Sequence, residues 1–331
     1  ALLLNPTVVS NTSTIYLDSL KFLQANNDGH YGLALGYHSQ PNMDPTDYGN
    51  ASFGNYSLGS LPAGAYFNTA VGSYALYSST GNQNTAMGYS AATNATTGGA
   101  NTVIGVKAML YNQTGSSNTI VGQNAGFGVT GNSYSNNSLF GVSAGAGLTT
   151  GSNNIIFGVS AGDNLTTGSN NIIIGYSIDA PSATSANILN IGNLIYGTGL
   201  DGTGTTLSTG KIGIGTTAPD KKLEINSSTG ANLRLTYNDA DGSATNYADL
   251  ATTSGGNLTI DASGGTTTFS DGTASSSTST GALVNAGGFG NAGAAYIGGN
   301  LNVAGTSIFT NATWPQVSVN NAAGVGHAGI Q

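Results

Sequence analysis

The chain contains no cysteine, so no disulfide staples it, and its order must come from packing, repetition or association. Charge is almost as scarce. Only 6% of the 331 residues are charged, six basic against fourteen acidic, for a formal net charge of −8. The basic residues Lys21, Lys107, Lys211, Lys221, Lys222 and Arg234 are scattered along the chain. That scatter excludes the clustered basic patch on which nucleic-acid binding depends. No apolar run approaches the roughly 18 residues of a membrane-spanning helix. Intrinsic disorder is also disfavoured: disorder goes with few apolar residues, whereas 38% of this chain is hydrophobic and its apolar residues recur periodically. Ala1-Leu2-Leu3-Leu4 is too short for a secretion signal and no initiator Met precedes it, so the sequence reads as a processed product or a recombinant piece, with any export signal removed.

What the chain has in excess is glycine, 52 residues, and much of it keeps a beat. A motif Asn-x-apolar-apolar-Gly recurs about every 17 residues between positions 32 and 192. Its clearest copies are Asn68 to Gly72, Asn84 to Gly88, Asn101 to Gly105 and Asn118 to Gly122. More apolar copies follow at Asn154 to Gly158 and Asn171 to Gly175, and looser ones close on Gly36, Gly54 and Gly141. Three residues after the glycine stands a small residue, as at Ala75, Ala91, Ala108, Ala125, Ala144 and Ala161. A period of this length is the mark of stacked coils rather than of an enzyme core. Short Val-, Ile- and Phe-containing runs between Gly and Asn read as strands. The fixed glycine implies a positive φ or a backbone packed too closely for a Cβ. The alanine implies a tight interior at a second short strand. Each coil is expected to bury two or three large apolar side chains against its neighbours, at about 1.5–3 kcal/mol apiece. The repeated Asn is expected to form a ladder, its amide bonding the turn backbone of the next coil.

Outside the array the reading is coarser. Residues 1–28 do not fit the repeat and read as a cap or docking segment. Thr14 to Leu17 reads there as a strand, and Ser19 to Gln24 as a short helix or a second strand. The array occupies 29–196, with an insertion at Pro41 to Asp47. Residues 197–230 form a connector: a flexible crossing from Gly197 to Gly204, a turn from Lys211 to Pro219, then a strand at Lys222 to Ile225. Alternation at Leu233 to Tyr237 and Asn257 to Asp261, with Thr266 to Phe269, marks a small β-meander over 231–270. Residues 271–331 are a Ser/Thr linker and a C-terminal β segment.

Candidates for chemistry are few. His30 and His38 lie near Asp28, Asp44 and Asp47, but a solvated loop explains them better than a metal or acid–base site. Asp239 and Asp241 open like a calcium loop without its closing Glu, and a polar turn is the better reading. Asp163, Asp179, Asp201 and Asp220 read as isolated among turns, and no repeat position is regularly acidic, so no carboxylate pair for glycoside hydrolysis stands out. No glycine-rich loop opens a helix, so no phosphate cradle is expected. No catalytic residue, metal ligand or cofactor is assigned. The sequons at Asn55, Asn94, Asn112 and Asn164 are frequent by composition alone. The tyrosines are the strongest candidates: Tyr37, Tyr56, Tyr74, Tyr89 and Tyr176 lie one or two residues past a repeat glycine. Pointing outward they would form an aromatic contact stripe for a sugar or a partner; pointing inward they would serve as core or subunit contacts.

The Asn-Thr-Ala-Val-Gly repeat resembles the head repeats of trimeric autotransporter adhesins. It is equally similar to repeats of tail-fibre and surface proteins that end in an endosialidase-type intramolecular chaperone. The stretch Ile212 to Pro219 with Leu223-Glu224-Ile225 resembles the linker preceding such chaperones. Asn232 to Leu235 with Asn257 to Ile260, and Ser279 to Val284 with Gly299 to Val303, resemble other parts of the same group. The resemblance implies a parallel β-roll or β-helix in which three chains form one fibre, a surface or virion location, and a role in attachment. An end at Gln331 is compatible with chaperone self-cleavage and with truncation. The expectation is therefore an all-β chain: a parallel β-roll of about ten coils, roughly 50 Å long at about 4.8 Å per strand, followed by small C-terminal β modules. It would act as an extracellular, non-catalytic adhesive fibre subunit, a homotrimer that joins end to end into a filament and binds a cell-surface glycan or protein. A polysaccharide-degrading tailspike is the alternative. Ice binding is disfavoured, because Thr-x-Thr does not recur at coil spacing.

Overall fold

The computed structural model describes residues 12–17, 20–26, 32–41, 44, 46–228, 231–236, 247–252, 254–256 and 258–262. All the regular structure among them is β. Two strands come first, β1 (Thr12–Leu17) and β2 (Leu20–Asn26). Ten three-residue strands follow, one per repeat: β3 (Leu33–Leu35), β4 (Ala51–Phe53), β5 (Thr69–Val71), β6 (Thr85–Met87), β7 (Thr102–Ile104), β8 (Thr119–Val121), β9 (Ser138–Phe140), β10 (Ile155–Phe157), β11 (Ile172–Ile174) and β12 (Leu189–Ile191). These ten pair in parallel and in sequence order, equivalent residue on equivalent residue, as in Thr85↔Thr102 and Val103↔Ile120. Each strand therefore begins one coil and its successor begins the next, so ten strands bound nine coils of a parallel β-solenoid.

Three-residue strands expose the alternation of the β backbone plainly. In β7 the central Val103 is buried while Thr102 and Ile104 are exposed, and β10 repeats this with Ile156 between Ile155 and Phe157. Each strand thus buries one residue, because successive side chains leave opposite faces; the turn supplies a second large one in several coils, as Leu148 does after Leu139 and Leu165 after Ile156, which reaches the lower end of the two or three expected per coil. The facing wall comes from four residues past the glycine. Its size complements the strand residue: Ser52 and Ala70 look toward Leu58 and Leu76 early in the stack. Later Ile120, Leu139 and Ile156 accompany Gly126, Gly145 and Gly162. A Cβ on Gly145 would lie 3.2 Å from a Leu139 methyl and 3.3 Å from an Ile156 methyl. The coils between do not follow that exchange: Ala86 and Ala92 are both small, and Val103 and Met109 are both larger.

The small residues Ala75, Ala91, Ala108, Ala125, Ala144 and Ala161 are all fully buried. They lie in a turn, not in the second strand expected from the sequence. The turn alternates left- and right-handed residues. Lys107 and Met109 have φ of 55° and 51°, and Ser90 and Ala92 have 56° and 50°. Twenty-three non-glycine residues of the described chain share positive φ, a conformation that ordinarily costs about 1–2 kcal/mol per residue. Hydrogen bonds to both neighbouring coils hold it: Lys107 N–H donates back to Tyr89 O (2.8 Å), and Met109 N–H donates forward to Ala125 O (2.9 Å).

Two columns lock the coils together. Gly88 has φ of 136°, and a methyl there would lie 2.5 Å from the Gly105 carbonyl oxygen; Gly72 faces Gly88 in the same way. Gly105, Gly122, Gly141 and Gly158 continue the column, and Gly175 ends it against Ile178. Beside it runs the asparagine column of Asn68, Asn84, Asn101, Asn118, Asn154 and Asn171, joined by Asn50 and Asn137. From Asn68 onward each donates its backbone N–H to the Oδ1 of the asparagine one coil earlier, at 2.9–3.0 Å. Seven donate their amide N–H to the turn leading into the next strand, as Asn118 does to Tyr134 O (3.0 Å). The exception is Asn68, whose Nδ2 is buried without a partner.

Antiparallel strands close both ends of the array. At the start β1 pairs with β2 and β2 with β3, so the stretch read as a short helix or a second strand is a strand from Leu20 onward; Ser19 lies outside the described residues. At the other end β12 turns back into β13 (Ile195–Thr198), followed by β14 (Lys211–Ile214) and β15 (Leu223–Ile225). The flexible crossing read from Gly197 is corrected there, since Gly197 is buried within β13. The turn read from Lys211 begins instead with a strand, because Ile212 and Ile214 extend the sheet beside β13. A separate three-stranded meander comprises β16 (Ala231–Thr236), β17 (Tyr247–Thr252) and β18 (Leu258–Ala262). Its middle strand escaped the sequence reading, because Tyr-Ala-Asp-Leu-Ala-Thr carries little β-branched signal. Arg234 and Asp249 pair across it through two contacts of 2.7 Å. Thr266 to Phe269, the linker and the C-terminal segment lie outside the described residues.

Candidate functional surfaces

The residues that alternation turns outward make the most extensive surface feature. Past each inward side chain, the third strand position carries Leu35, Phe53, Val71, Met87, Ile104, Val121, Phe140, Phe157, Ile174 and Ile191 in one unbroken apolar column. Met87 is 47% exposed and Phe157 58%. Phe140 and Phe157 stack on adjacent coils with centroids 5.9 Å apart. The first strand position is Thr in the middle four coils and becomes Ile155, Ile172 and Leu189 toward the end. The residue just after the glycine adds Val106, Val142 and Val159, all exposed. Water-soluble monomers rarely leave so long an apolar strip uncovered. The sequence carried the signal, since those apolar residues sit at every repeat, but three residues are too few to reveal which ones face inward.

Tyr37, Tyr56, Tyr74 and Tyr89 converge on one edge of the first coils, together with His38 and Tyr77. His38 stacks on Tyr56 at 5.2 Å and 6°, and Tyr56 on Tyr74 at 5.2 Å and 8°. Tyr37, Tyr77 and Tyr89 approach this stack edge-on. The ring faces of Tyr56 and Tyr74 are thus occupied by other rings, and the ladder offers edges and hydroxyls rather than the open platform that sugar stacking uses. Burial and the neighbouring Tyr37 push the Tyr56 phenol above its usual range. Tyr176 stands apart, five coils beyond Tyr89 and 78% exposed.

The acidic residues are less isolated than their sequence positions imply. Asp163 and Asp179 come together across adjacent coils. Burial first, then the neighbouring charge of Asp179, raises the Asp163 carboxyl above its usual value. The separation of 16 residues, close to one period, was the overlooked signal. Asp201 is held below its usual range by Thr209, which donates to it from hydroxyl and backbone. Asp220 donates its backbone N–H to Glu224 (2.6 Å), and the Lys222 ammonium donates to Thr209 O (2.7 Å).

At the insertion, Asp44 accepts from the Thr46 backbone and hydroxyl, which lowers its carboxyl, whereas burial raises that of Asp47. No group of three or more His, Cys, Asp or Glu capable of holding a metal ion occurs among the described residues. His30, His327, Asp28, Asp239 and Asp241 lie outside them. Of the sequons, Asn112 is fully buried and bonded to Tyr134 O, which bars a glycan in the folded state, whereas Asn55 is exposed. No helix among the described residues is long and apolar enough to cross a membrane. Comparison with protein-family models, curated proteins and solved structures finds no match.

Proposed function

We propose that this chain is the subunit of an extracellular attachment fibre, in which copies of the chain cover one another's outward strand faces and three copies make one shaft. The observation that carries this reading is the apolar column from Leu35 to Ile191, continuous over ten strands. An identical copy is a natural cover, because it offers a strip of the same length and period. Symmetric self-association is the commonest way for a soluble chain to hide such a strip. Ten strands with outward Val, Ile, Met and Phe supply enough surface for an interface of standard size, about 800 Å² per partner. The end strands of the sheet, β1 and β15, have no further strand paired to them among the described residues, which favours end-to-end joining. The fibre's role is attachment to a surface glycan or protein, at a cell surface or on a virion.

The acidic residues favour this reading over a polysaccharide-degrading tailspike. Glycoside hydrolysis works with two carboxyls about 5–10 Å apart across the scissile bond, whereas Asp163 and Asp179 crowd each other closely enough to raise the Asp163 carboxyl. Asp44 Oδ1 accepts from Thr46, and Asp47 Oδ2 accepts from the Asp44 backbone and from Gln40, which ties these two carboxylates into their own loop. The test uses beads coated with the full chain. Retention on receptor-bearing surfaces, with capsular polysaccharide solutions keeping their viscosity, is the expected result. Loss of viscosity would establish the enzyme instead, and failure to adhere to any glycan or protein surface would end the attachment reading.

A further inference from the structure

Lys107 is the sole lysine or arginine between positions 32 and 196. It lies in the column two residues past the repeat glycine, where Asn124 and Ser143 follow it on the next two coils. These three side chains, with Phe127 and Ala146, line an open cleft of about 300 Å³. The cleft exists because small Ala146 follows bulky Phe127 in the next column, leaving a gap beside the ring. Phe127 is held by an edge-on contact with Tyr111, centroids 5.2 Å apart. No side-chain hydrogen bond or ion pair within the described chain engages Lys107, Asn124 or Ser143, and the ion pair formed elsewhere joins Arg234 to Asp249. The Lys107 backbone is left-handed, with φ of 55°, a conformation that ordinarily disfavours a long side chain. An ammonium, an amide, a hydroxyl and an aromatic ring therefore converge on one small cavity with their binding capacity unspent.

We propose that this cleft binds one carboxylate-bearing pyranose, a uronic-acid-type unit of an acidic glycan. The inference rests on the attachment reading and names the chemistry of its receptor. A pyranose has an apolar C–H face that suits the Phe127 ring and a rim of hydroxyls that suits Asn124 and Ser143. Its carboxylate meets Lys107 in a charge-assisted hydrogen bond. Lys107 and Ser143 stand two coils apart, about 10 Å at strand spacing, a span that a ring and its carboxylate bridge. The volume is at the lower end for ligand sites, so it admits one sugar unit while the open mouth lets the glycan continue. A neutral sugar leaves the ammonium without a counter-charge. Lys107 is the one lysine or arginine that positions 32–196 offer to an anionic sugar. A single such contact gives weak binding per chain, and several chains in one fibre raise it through avidity.

The experiment titrates the full chain with methyl β-glucuronoside, with methyl β-glucoside (the same ring without the carboxylate) and with acetate (the carboxylate without the ring), following ligand-observed NMR. The glucuronoside is expected to bind at least ten-fold more tightly than either control. Lys107→Gln should abolish that preference, whereas Lys107→Arg should keep it, with unchanged far-UV circular dichroism in both variants. Equal binding of glucuronoside and glucoside, acetate competing as well as the glucuronoside, or a preference untouched by Lys107→Gln would each overturn the proposal. Beads carrying Lys107→Gln separate the two readings. If they adhere as the parent does and no glucuronoside binds, the cleft assignment falls and attachment stands. If the glucuronoside binds at Lys107 while parent beads adhere to nothing, attachment falls and the cleft stands.

Discussion

Replacing Gly88 by alanine inserts a methyl group between two coils. The new Cβ would lie 2.5 Å from the Gly105 oxygen, 2.7 Å from its carbonyl carbon and 3.2 Å from Val106 N. Non-bonded carbons prefer about 3.5–4.0 Å, so the coils must part by on the order of 1 Å. Neither side yields easily. Gly88 N–H donates to Val71 O and Gly105 N–H to Met87 O, both at 2.8 Å. Disturbing one or two such bonds costs about 1 kcal/mol each, and holding alanine at φ of 136° adds about 1–3 kcal/mol. The expected loss is about 3–5 kcal/mol, a large share of the 5–15 kcal/mol that stabilises a domain. Gly131→Ala is the control: φ there is 93°, but nothing lies within 4 Å of the added methyl, so only backbone strain of about 1–2 kcal/mol remains. Urea denaturation followed by circular dichroism, at equal chain concentration because association shifts apparent stability, should separate the two variants by at least about 2 kcal/mol. A Gly88→Ala protein as stable as Gly131→Ala would refute the close approach of the glycine column.

Three further outcomes follow from other parts of the stack. Asn118→Ala leaves the buried Asn137 N–H without its acceptor and takes one of two amide donors from the Tyr134 carbonyl, which keeps Asn112; it should cost about 1–3 kcal/mol in the same assay. Ala100→Gly should stabilise by about 0.5–1 kcal/mol. Ala100 is exposed with φ of 57°, and relief of left-handed strain exceeds the extra chain entropy of glycine. Asp163→Asn tests the carboxyl pair by its pH dependence. Because the folded carboxyl titrates above its ordinary value of 3.8, the fold binds that proton more tightly than the unfolded chain. The stability it contributes is therefore fully present below pH 3.8 and is lost as pH rises through the raised value. The variant should melt higher than the parent at neutral pH, with the gap closing on acidification; a gap independent of pH would contradict the pairing.

The period was legible because it is written in residues with few alternatives. Gly88 and its equivalents sit where a Cβ meets the next coil, and Asn118 sits where one amide serves two neighbouring coils. Substitution there is constrained, so the beat survives in the sequence. Orientation was not legible. Ile155, Ile156 and Phe157 look equally core-like in composition, yet only Ile156 is buried. Nor did residue type betray the left-handed turn, because Tyr74, Ala92 and Lys107 all adopt φ values that sequence patterns associate with Gly or Asn. The conformation is imposed by hydrogen bonds to two neighbouring coils, information that lies about 17 residues away, one period of the stack. The Asp163–Asp179 pair and the Lys107 cleft were hidden for the same reason. Aligning the repeats by column, rather than reading along the chain, brings both into view.

The account stands most directly on whether other copies of the chain cover the outward column that contains Met87, Ile104 and Phe157. Sedimentation equilibrium of the full chain measures it. The predicted result is a particle of three times 32.8 kDa, falling to one chain when Ile104 and Phe157 are both replaced by Glu while the β signal in circular dichroism is retained. A parent protein that sediments as a single 32.8 kDa chain at all concentrations would contradict it.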